Sequence, residues 1–179
     1  FSIEEVRVYL LIIFASVALI CVNTYSIYGN LEETIRHAFF QVGSIITTTG
    51  YATTDFNTWP LLSKTILVTL MFIGACAGST GGGIKVSRVT LLLKTIKKEI
   101  SLLLHPRLVK IIKVDEHPIS NEVIRSTHVF IAVYFVIYFI SLLLISLENL
   151  DFTTCFTAVA ATLNNIGPGL DLVGPTQNF

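Results

Sequence analysis

The chain has 179 residues, of which 53% are hydrophobic and only 13% are charged, and its mean hydropathy is +0.73. This composition is too apolar for an ordinary soluble domain and indicates a membrane protein. The formal net charge is zero, so no overall basicity points to nucleic acid as a partner.

Two segments are long and apolar enough to cross a bilayer as helices. Residues 8–27 and 129–147 contain no charged residue, and about 20 helical residues span a hydrocarbon core of roughly 30 Å. A third apolar segment, 61–77, contains Lys64 as its only charged residue. Residues 152–163 are apolar but too short to span. The sequence therefore predicts three spanning helices and one shorter apolar helix.

Positive charge is concentrated between the second and third of these spans. Most of the twelve basic residues lie within residues 85–125. The positive-inside rule places this connection in the cytoplasm and residues 28–59 on the outer side. Its lysines could equally contact anionic lipid headgroups.

Two shorter segments share one design. Residues 31–46 begin with acidic residues and lead directly into TTTGY, and residues 151–163 begin with Asp151 and lead into NNIGPG. Each pattern predicts a short re-entrant helix followed by an irregular polar loop, so the architecture repeats. Irregular backbone cannot face lipid, and a helix C-terminus favours a cation, which suits a cation filter. Outer loops that only cap the helices are the alternative.

These motifs resemble a known family. Thr48-Thr49-Gly50-Tyr51 is similar to the Thr-Val-Gly-Tyr of potassium-channel filters, although Ala52 follows where the channels have glycine. This filter, the glycine-rich GACAGSTGGGIKVSR at 74–88, NNIGPG at 164–169 and the basic connection together resemble the Trk/Ktr/HKT superfamily of potassium transporters. HPRLVKIIKVDEHPISNEVI at 105–124 is most similar to the bacterial TrkH type. The resemblance implies the C-terminal half of a pore subunit built from four repeats.

The implied fold is an all-α membrane protein of membrane-pore-membrane repeats, potassium-channel-like, with re-entrant half-helices and filter loops. Its expected division is a complete repeat at 1–104 (half-helix 31–46, filter 47–51, broken second helix 60–104), a cytoplasmic connection at 105–122, and a truncated repeat at 123–179 (half-helix 151–163, filter 164–169). We therefore expect the first half of the pore and the final helix to be missing.

The resemblance also implies which residues bind the ion. Backbone carbonyls would hold potassium, and they belong to Thr48, Thr49, Gly50, Tyr51, Asn165, Ile166 and Gly167. Glycine at both filter positions favours potassium, because serine at this site is associated with sodium in the superfamily, so Gly50→Ser should lower potassium selectivity. Asn164 and Asn165 side chains could line the pore or brace the loop from behind.

The glycine-rich run would be an intramembrane gating loop. Its residues are Cys76, Ala77, Gly78, Ser79, Thr80, Gly81, Gly82 and Gly83, and the glycines allow an unwound segment to change conformation easily. Close helix packing through Gly74 and Gly78 is the alternative. A phosphate loop is excluded, since the adjacent Gly-Lys-Ser/Thr is absent.

Two other functions are alternatives to ion conduction. A secondary transporter with broken helices explains the glycine break but not the duplicated loops. An intramembrane hydrolase would need Ser79 or Thr80 beside His128, with His37 as a possible acid or base, and we expect no enzyme. The resemblance implies a multi-pass protein of the inner cell membrane that transports potassium without a cofactor. Its implied partners are the rest of the pore, a second copy of the chain, the lipid bilayer and cytoplasmic nucleotide-binding regulatory subunits.

Overall fold

A computed structural model describes residues 3–105 and 111–177. Within these ranges the helices are α1 (Glu4–Tyr28), α2 (Leu31–Ile46), α3 (Leu61–Phe72), α4 (Val86–Leu104), α5 (Asn121–Ile145) and α6 (Phe152–Leu163), with 3-10 turns at Phe56–Thr58, Ser146–Glu148 and Asp171–Val173. Strands β1 (Ile73–Gly74) and β2 (Ile84–Lys85) pair in parallel, and β3 (Lys113–Val114) and β4 (His117–Pro118) form an antiparallel hairpin. Part of the expected cytoplasmic connection, residues 106–110 with Arg107 and Lys110, lies outside the described residues.

The two longest helices are the ones that can cross a membrane. By length and composition, α1 and α5 with its 3-10 extension each meet the requirement. Both present large apolar side chains on their outer faces, for example Leu11, Val22 and Leu143. These faces are suited to lipid or to other apolar helices.

Side-chain caps set the beginnings of α2 and α6. Asn30 Oδ1 accepts the Glu32 N–H at 3.0 Å, and Asp151 Oδ2 accepts the Thr153 N–H at 2.9 Å. Such caps satisfy one of the four N–H groups that a helix start leaves unpaired. Helix α2 has the bounds expected from sequence, and α6 begins one residue later than expected because Asp151 is its cap.

The core lies between α2, α3, α6 and the flanking long helices. Side chains from α1, α2 and α3, including Ile20, Val42 and Leu67, are fully buried in it. Helix α6 is held by aromatic packing, in which the centroid of the Phe156 ring lies 5.4 Å from that of Tyr138 and 6.0 Å from that of Phe72. Burying a large apolar side chain stabilises the fold by about 1.5–3 kcal/mol. The C-terminal ends of α2 and α6 therefore rest on a well-packed base.

Helix α3 is shorter than the sequence predicts. The apolar pattern extends to Ala77, but α3 ends at Phe72, because the next residues pair with β2 instead of continuing the helix. Residues 75–83, which we call the glycine-rich segment, form the loop between the two short strands. A Cβ on Gly74 would overlap the carbonyl oxygen of Gly82, and within the described chain no atom lies within 4 Å of a Cβ on Gly78. Helix packing through these two glycines is therefore not observed.

Candidate functional site

Helix α2 ends in a specific backbone motif. The Thr48 N–H donates to the Ile45 carbonyl at 3.0 Å, and the Thr49 N–H donates to the Ser44 carbonyl at 2.8 Å. These two bonds define a Schellman motif, which places one residue in the left-handed conformation. That residue is Thr48, with φ +56°. The loop that follows, residues 47–51, is called the first loop below.

Helix α6 ends in the same motif, although the two sequences differ. The Asn165 N–H donates to the Thr162 carbonyl at 3.1 Å, and the Ile166 N–H donates to the Ala161 carbonyl at 2.8 Å. Asn165 has φ +54°. Each of these groups has its counterpart 117 residues earlier in the chain. The second loop, residues 164–169, therefore repeats the backbone of the first.

The motif uses the N–H groups of both loops and leaves carbonyl oxygens free. Among the described residues, no donor is hydrogen-bonded to the carbonyl oxygens of Thr48, Thr49, Gly50, Asn165, Ile166 or Gly167. Unpaired carbonyls away from water are costly unless another partner satisfies them. A cation is a suitable partner for such a set, since each carbonyl oxygen is a hard ligand.

Tyr51 differs from the other residues predicted to bind the ion. Its carbonyl accepts a hydrogen bond from the Ser44 hydroxyl at 2.5 Å, while its side chain is 72% exposed. Its counterpart in the second loop is Pro168. The repeated part of the two loops thus covers three residues in each, and the Ser44 hydroxyl ties the end of the first loop to the last turn of α2.

The two loops touch each other at their glycines. Gly50 has φ +81°, and a Cβ there would overlap the carbonyl oxygen of Ile166. Gly167 has φ +115°, and the nearest atom to its Cβ position is Gly50 Cα at 4.0 Å. Gly50 is therefore required by both conformation and contact, whereas Gly167 is required by conformation alone.

Asn164 braces the second loop from behind. Its side chain is fully buried, its Oδ1 accepts the Tyr134 hydroxyl proton at 2.8 Å, and its Nδ2 donates to the Ala160 carbonyl at 2.7 Å. Of the two roles that the sequence left open for Asn164, these contacts favour the brace. The neighbouring Asn165 side chain is exposed.

A cavity of about 530 Å³ opens on one side of the two loops. Its lining consists of Gly50, Tyr51, Ala52, Gly167, Pro168, Val173, Gly174, Pro175 and Gln177. Next to this lining, the Asp55 carboxylate accepts hydrogen bonds from the Asn57 N–H and the Thr176 hydroxyl, both at 3.0 Å. Asp55 thereby ties the connection after the first loop to the end of the described chain.

The glycine-rich segment contacts both loops. The Gly82 N–H donates to Thr48 Oγ1 at 3.3 Å. A Cβ on Gly82 would overlap the backbone carbonyl of Asn164, and one on Gly83 would lie 3.3 Å from the Asn164 side-chain oxygen. Only glycine lets the segment approach this closely. The segment thus contacts Thr48 and Asn164 near the helix ends, whereas the cavity is lined by residues further along each loop, from Gly50 and Gly167 onward.

Charged side chains that sequence reasoning missed hold the segment in shape. Lys85 Nζ donates to the Ser79 carbonyl at 3.1 Å, to the Ser79 hydroxyl at 3.0 Å and to the Gly81 carbonyl. Glu5, from the first turn of α1, accepts the Ala77 N–H at 2.7 Å. The sequence signalled Lys85 only as one of many basic residues, and no local pattern linked Glu5 to a segment so distant in the chain.

The groups required for a hydrolase are not brought together in the part of the chain that the structure describes. The Ser79 hydroxyl donates to the Cys76 carbonyl at 2.7 Å, and His128 lines an apolar groove between α4 and α5. His37 bonds the Thr53 hydroxyl at 2.9 Å and stacks on Tyr28. No hydrogen bond joins Ser79 or Thr80 to a histidine within the part of the chain that the structure describes.

The fold and the paired loops define an all-helical membrane protein of membrane-pore-membrane repeats, in which short helices point their C-termini at irregular loops. Comparison with known proteins gives the family. Residues 3–177 match the model of the family described as TrkH, cation transport protein. The chain belongs to this family.

Individual relatives support the same assignment. The chain is 39% identical to the Trk system potassium uptake protein TrkH of Escherichia coli K12 over 155 residues, which is 87% of the chain and 32% of that protein. It is 36% identical to the Trk system potassium uptake protein TrkG of the same organism over 171 residues, or 92% of the chain and 34% of the relative. The chain thus spans about a third of the length of these curated relatives.

A solved structure has the same fold. The crystal structure of the potassium transporter TrkH from Vibrio parahaemolyticus matches with a TM-score of 0.87 and 37% sequence identity. The match covers 94% of this chain and 36% of the other. The prediction of an all-α, channel-like membrane fold related to TrkH is therefore confirmed.

Proposed function

We propose that this chain contributes two neighbouring parts of a potassium filter to a TrkH-type uptake transporter, and that its glycine-rich segment gates that filter. The observation that carries the proposal is the set of unpaired carbonyl oxygens at Thr48–Gly50 and Asn165–Gly167. Carbonyls in this arrangement can replace the hydration shell of a potassium ion. Potassium is thus the substrate, and the chain needs no cofactor to hold it.

Helix orientation supports a cation over an anion at this place. Helices α2 and α6 both end at the loops, and each helix carries about −0.5 of an elementary charge at its C-terminus. The Schellman bonds turn the N–H groups of Thr48, Thr49, Asn165 and Ile166 back into the helices, away from a bound ion. The loops therefore present oxygen atoms and negative partial charge to the same space.

Two loops line only part of a pore, so the remaining carbonyls come from further loops of the complete transporter. Residues 1–104 form one repeat of that transporter, 105–122 a connection, and 123–179 part of another repeat. Family membership supports a second copy of the chain and nucleotide-binding regulatory subunits as partners. The excess of basic residues at 85–125 supports a cytoplasmic position for this connection and an inner cell membrane location.

The gating role of the glycine-rich segment follows from its contacts. Gly82 hydrogen-bonds Thr48 of the first loop and packs against the Asn164 backbone of the second. A segment in contact with both loops closes the path of an ion that has passed the filter. Its glycines let it move aside at low steric cost.

Changing one carbonyl chemically tests the filter directly. In the complete transporter, the α-hydroxy acid analogue of tyrosine at position 51 converts the Gly50 carbonyl into an ester, whose oxygen is a weaker ligand. Among the described residues the Tyr51 N–H makes no hydrogen bond, so this exchange removes no other contact. We expect potassium flux into liposomes to fall and selectivity over sodium to change, relative to the same protein with tyrosine incorporated at position 51.

Unchanged flux and selectivity in the ester variant would contradict the proposed filter. Flux that stops when the proton or sodium gradient is removed would indicate the alternative, a coupled secondary transporter with broken helices.

A further inference from the structure

The first turn of α1 carries two consecutive carboxylates, and the second of them binds the glycine-rich segment. Glu5 Oε1 accepts the Ala77 N–H at 2.7 Å and the Ser87 N–H at 3.1 Å. Ala77 belongs to the segment, and Ser87 lies in the first turn of α4. A single carboxylate oxygen therefore joins the segment to the helix that follows it.

Glu5 supplies a cap that α4 lacks. The residue at the cap position of α4 is Lys85, which makes no side-chain cap hydrogen bond. The first N–H groups of a helix need partners, and an anion there also complements the helix dipole. Because both bonds are made to a carboxylate, they are stronger than bonds between neutral groups.

Glu5 and Lys85 bind different backbone groups of the glycine-rich segment. Glu5 holds the N–H of Ala77, while Lys85 holds the oxygen atoms of Ser79 and Gly81. Residues 77–80 are otherwise exposed in the described chain. The shape of the segment thus depends on two charged side chains, of which only Glu5 reaches it from another helix.

The first turn of α1, which carries Glu5, is held in place by further contacts. Glu4 Oε2 accepts a hydrogen bond from Lys94 Nζ at 2.6 Å, and the Glu4 N–H donates to Asp115 Oδ1 at 2.6 Å. The same Lys94 Nζ donates to the Lys113 carbonyl at 2.7 Å. The first turn of α1 is therefore fixed to α4 and to the hairpin, so Glu5 is presented from a defined position.

From these contacts we infer that Glu5 is the positioning residue that keeps the glycine-rich segment against the two loops. It touches no ion and acts through the Ala77 and Ser87 N–H groups. This inference rests on the gating function proposed above. Loss of Glu5 releases the segment at Ala77, while the filter carbonyls stay in place.

Flux and thiol measurements on the complete transporter test this role. Glu5→Ala removes both hydrogen bonds, and because bonds to a charged group are strong, potassium flux without regulatory activation should rise about tenfold or more. Selectivity over sodium should not change. Glu5→Gln keeps an acceptor oxygen and should give a smaller rise, a graded response that general destabilisation would not produce.

Cys76 reports on the position of the segment independently of flux. In a background where every other cysteine of the complete transporter is alanine, Glu5→Ala should speed modification of Cys76 by a hydrophilic thiol reagent more than Glu5→Gln does. Both substitutions remove the carboxylate charge near Cys76, so the difference between them reports the position of the segment. Equal Cys76 reactivity in the two variants, or unchanged flux in Glu5→Ala, would overturn the role of Glu5.

A deletion of residues 79–81 separates this inference from the proposed gate. If the deletion raises unactivated flux and Glu5→Ala does not, the gate stands and the role of Glu5 is wrong. If neither change raises flux, the segment is not the gate, and both proposals fail.

Discussion

Substitution of Gly50 gives the sharpest prediction, because the structure assigns two separate costs to a single added carbon atom. A side chain at φ +81° is strained by about 1–3 kcal/mol. The Cβ would also overlap the Ile166 carbonyl oxygen, and displacing well-packed backbone costs a further 1–3 kcal/mol, approximately. The overlap pushes on an oxygen atom that we propose binds the ion.

Both costs belong to the Cβ atom and not to a hydroxyl group. Gly50→Ala and Gly50→Ser should therefore lower potassium-over-sodium selectivity to a similar extent. The combined cost of about 2–6 kcal/mol is relieved by displacing the Ile166 carbonyl, and if only about 1.4 kcal/mol of it becomes a difference between potassium and sodium binding, selectivity falls about tenfold. Gly43→Ser is the matched control, since Gly43 is helical and no atom of the described chain lies within 4 Å of its Cβ position.

The assay is the reversal potential, or the potassium-to-sodium uptake ratio, of the complete transporter in cells without other potassium uptake. Wild-type selectivity in Gly50→Ala together with lost selectivity in Gly50→Ser would refute the steric reasoning and assign the effect to the hydroxyl. Wild-type selectivity in both variants would refute the contact with Ile166 as a determinant of selectivity.

Three further substitutions test the supports of the site. Tyr134→Phe leaves the buried Asn164 Oδ1 without its donor and should cost about 1–3 kcal/mol, seen as a lower unfolding temperature in detergent; an unchanged temperature would contradict the brace. Asn30→Ala removes the cap of α2 and should lower the free energy of unfolding by about 1 kcal/mol. An unchanged unfolding temperature would contradict the contribution of this cap. Thr48→Val keeps the side-chain shape but removes the acceptor for the Gly82 N–H, so potassium flux without regulatory activation should rise. A fall in this flux would mean that the hydrogen bond stabilises the open form of the gate and not the closed form.

Sequence reasoning located the elements whose signals are local. The acidic start and polar end of residues 31–46 predicted α2 with its observed bounds, since caps and helix ends depend on neighbouring residues. Hydropathy predicted α1 and α5, because the signal for a spanning helix is a continuous run of apolar residues within one segment. The end of α3 was misplaced, because the pattern stays apolar to Ala77 while the backbone leaves the helix after Phe72 to pair with β2.

Contacts between distant residues were beyond the reach of the sequence. The overlap between a Gly50 Cβ and the Ile166 carbonyl depends on how α2 and α6 are packed together. No local pattern in the sequence relates Glu5 to Ala77, which lies 72 residues later in the chain. The choice between the two roles of Asn164 likewise required knowledge that Tyr134 lies beside it.

The duplicated Schellman motif has a consequence for how such a protein can evolve. TTTGY and NNIGP have only the glycine in common, yet both follow a helix that ends in the same pair of Schellman hydrogen bonds. The hydrogen bonds that shape each loop come from main-chain groups of the helix end, so side chains at most loop positions can diverge without moving the carbonyls. One of the two loops can thus acquire new neighbours, such as Tyr134 beside Asn164, without displacing the carbonyls that we propose bind the ion.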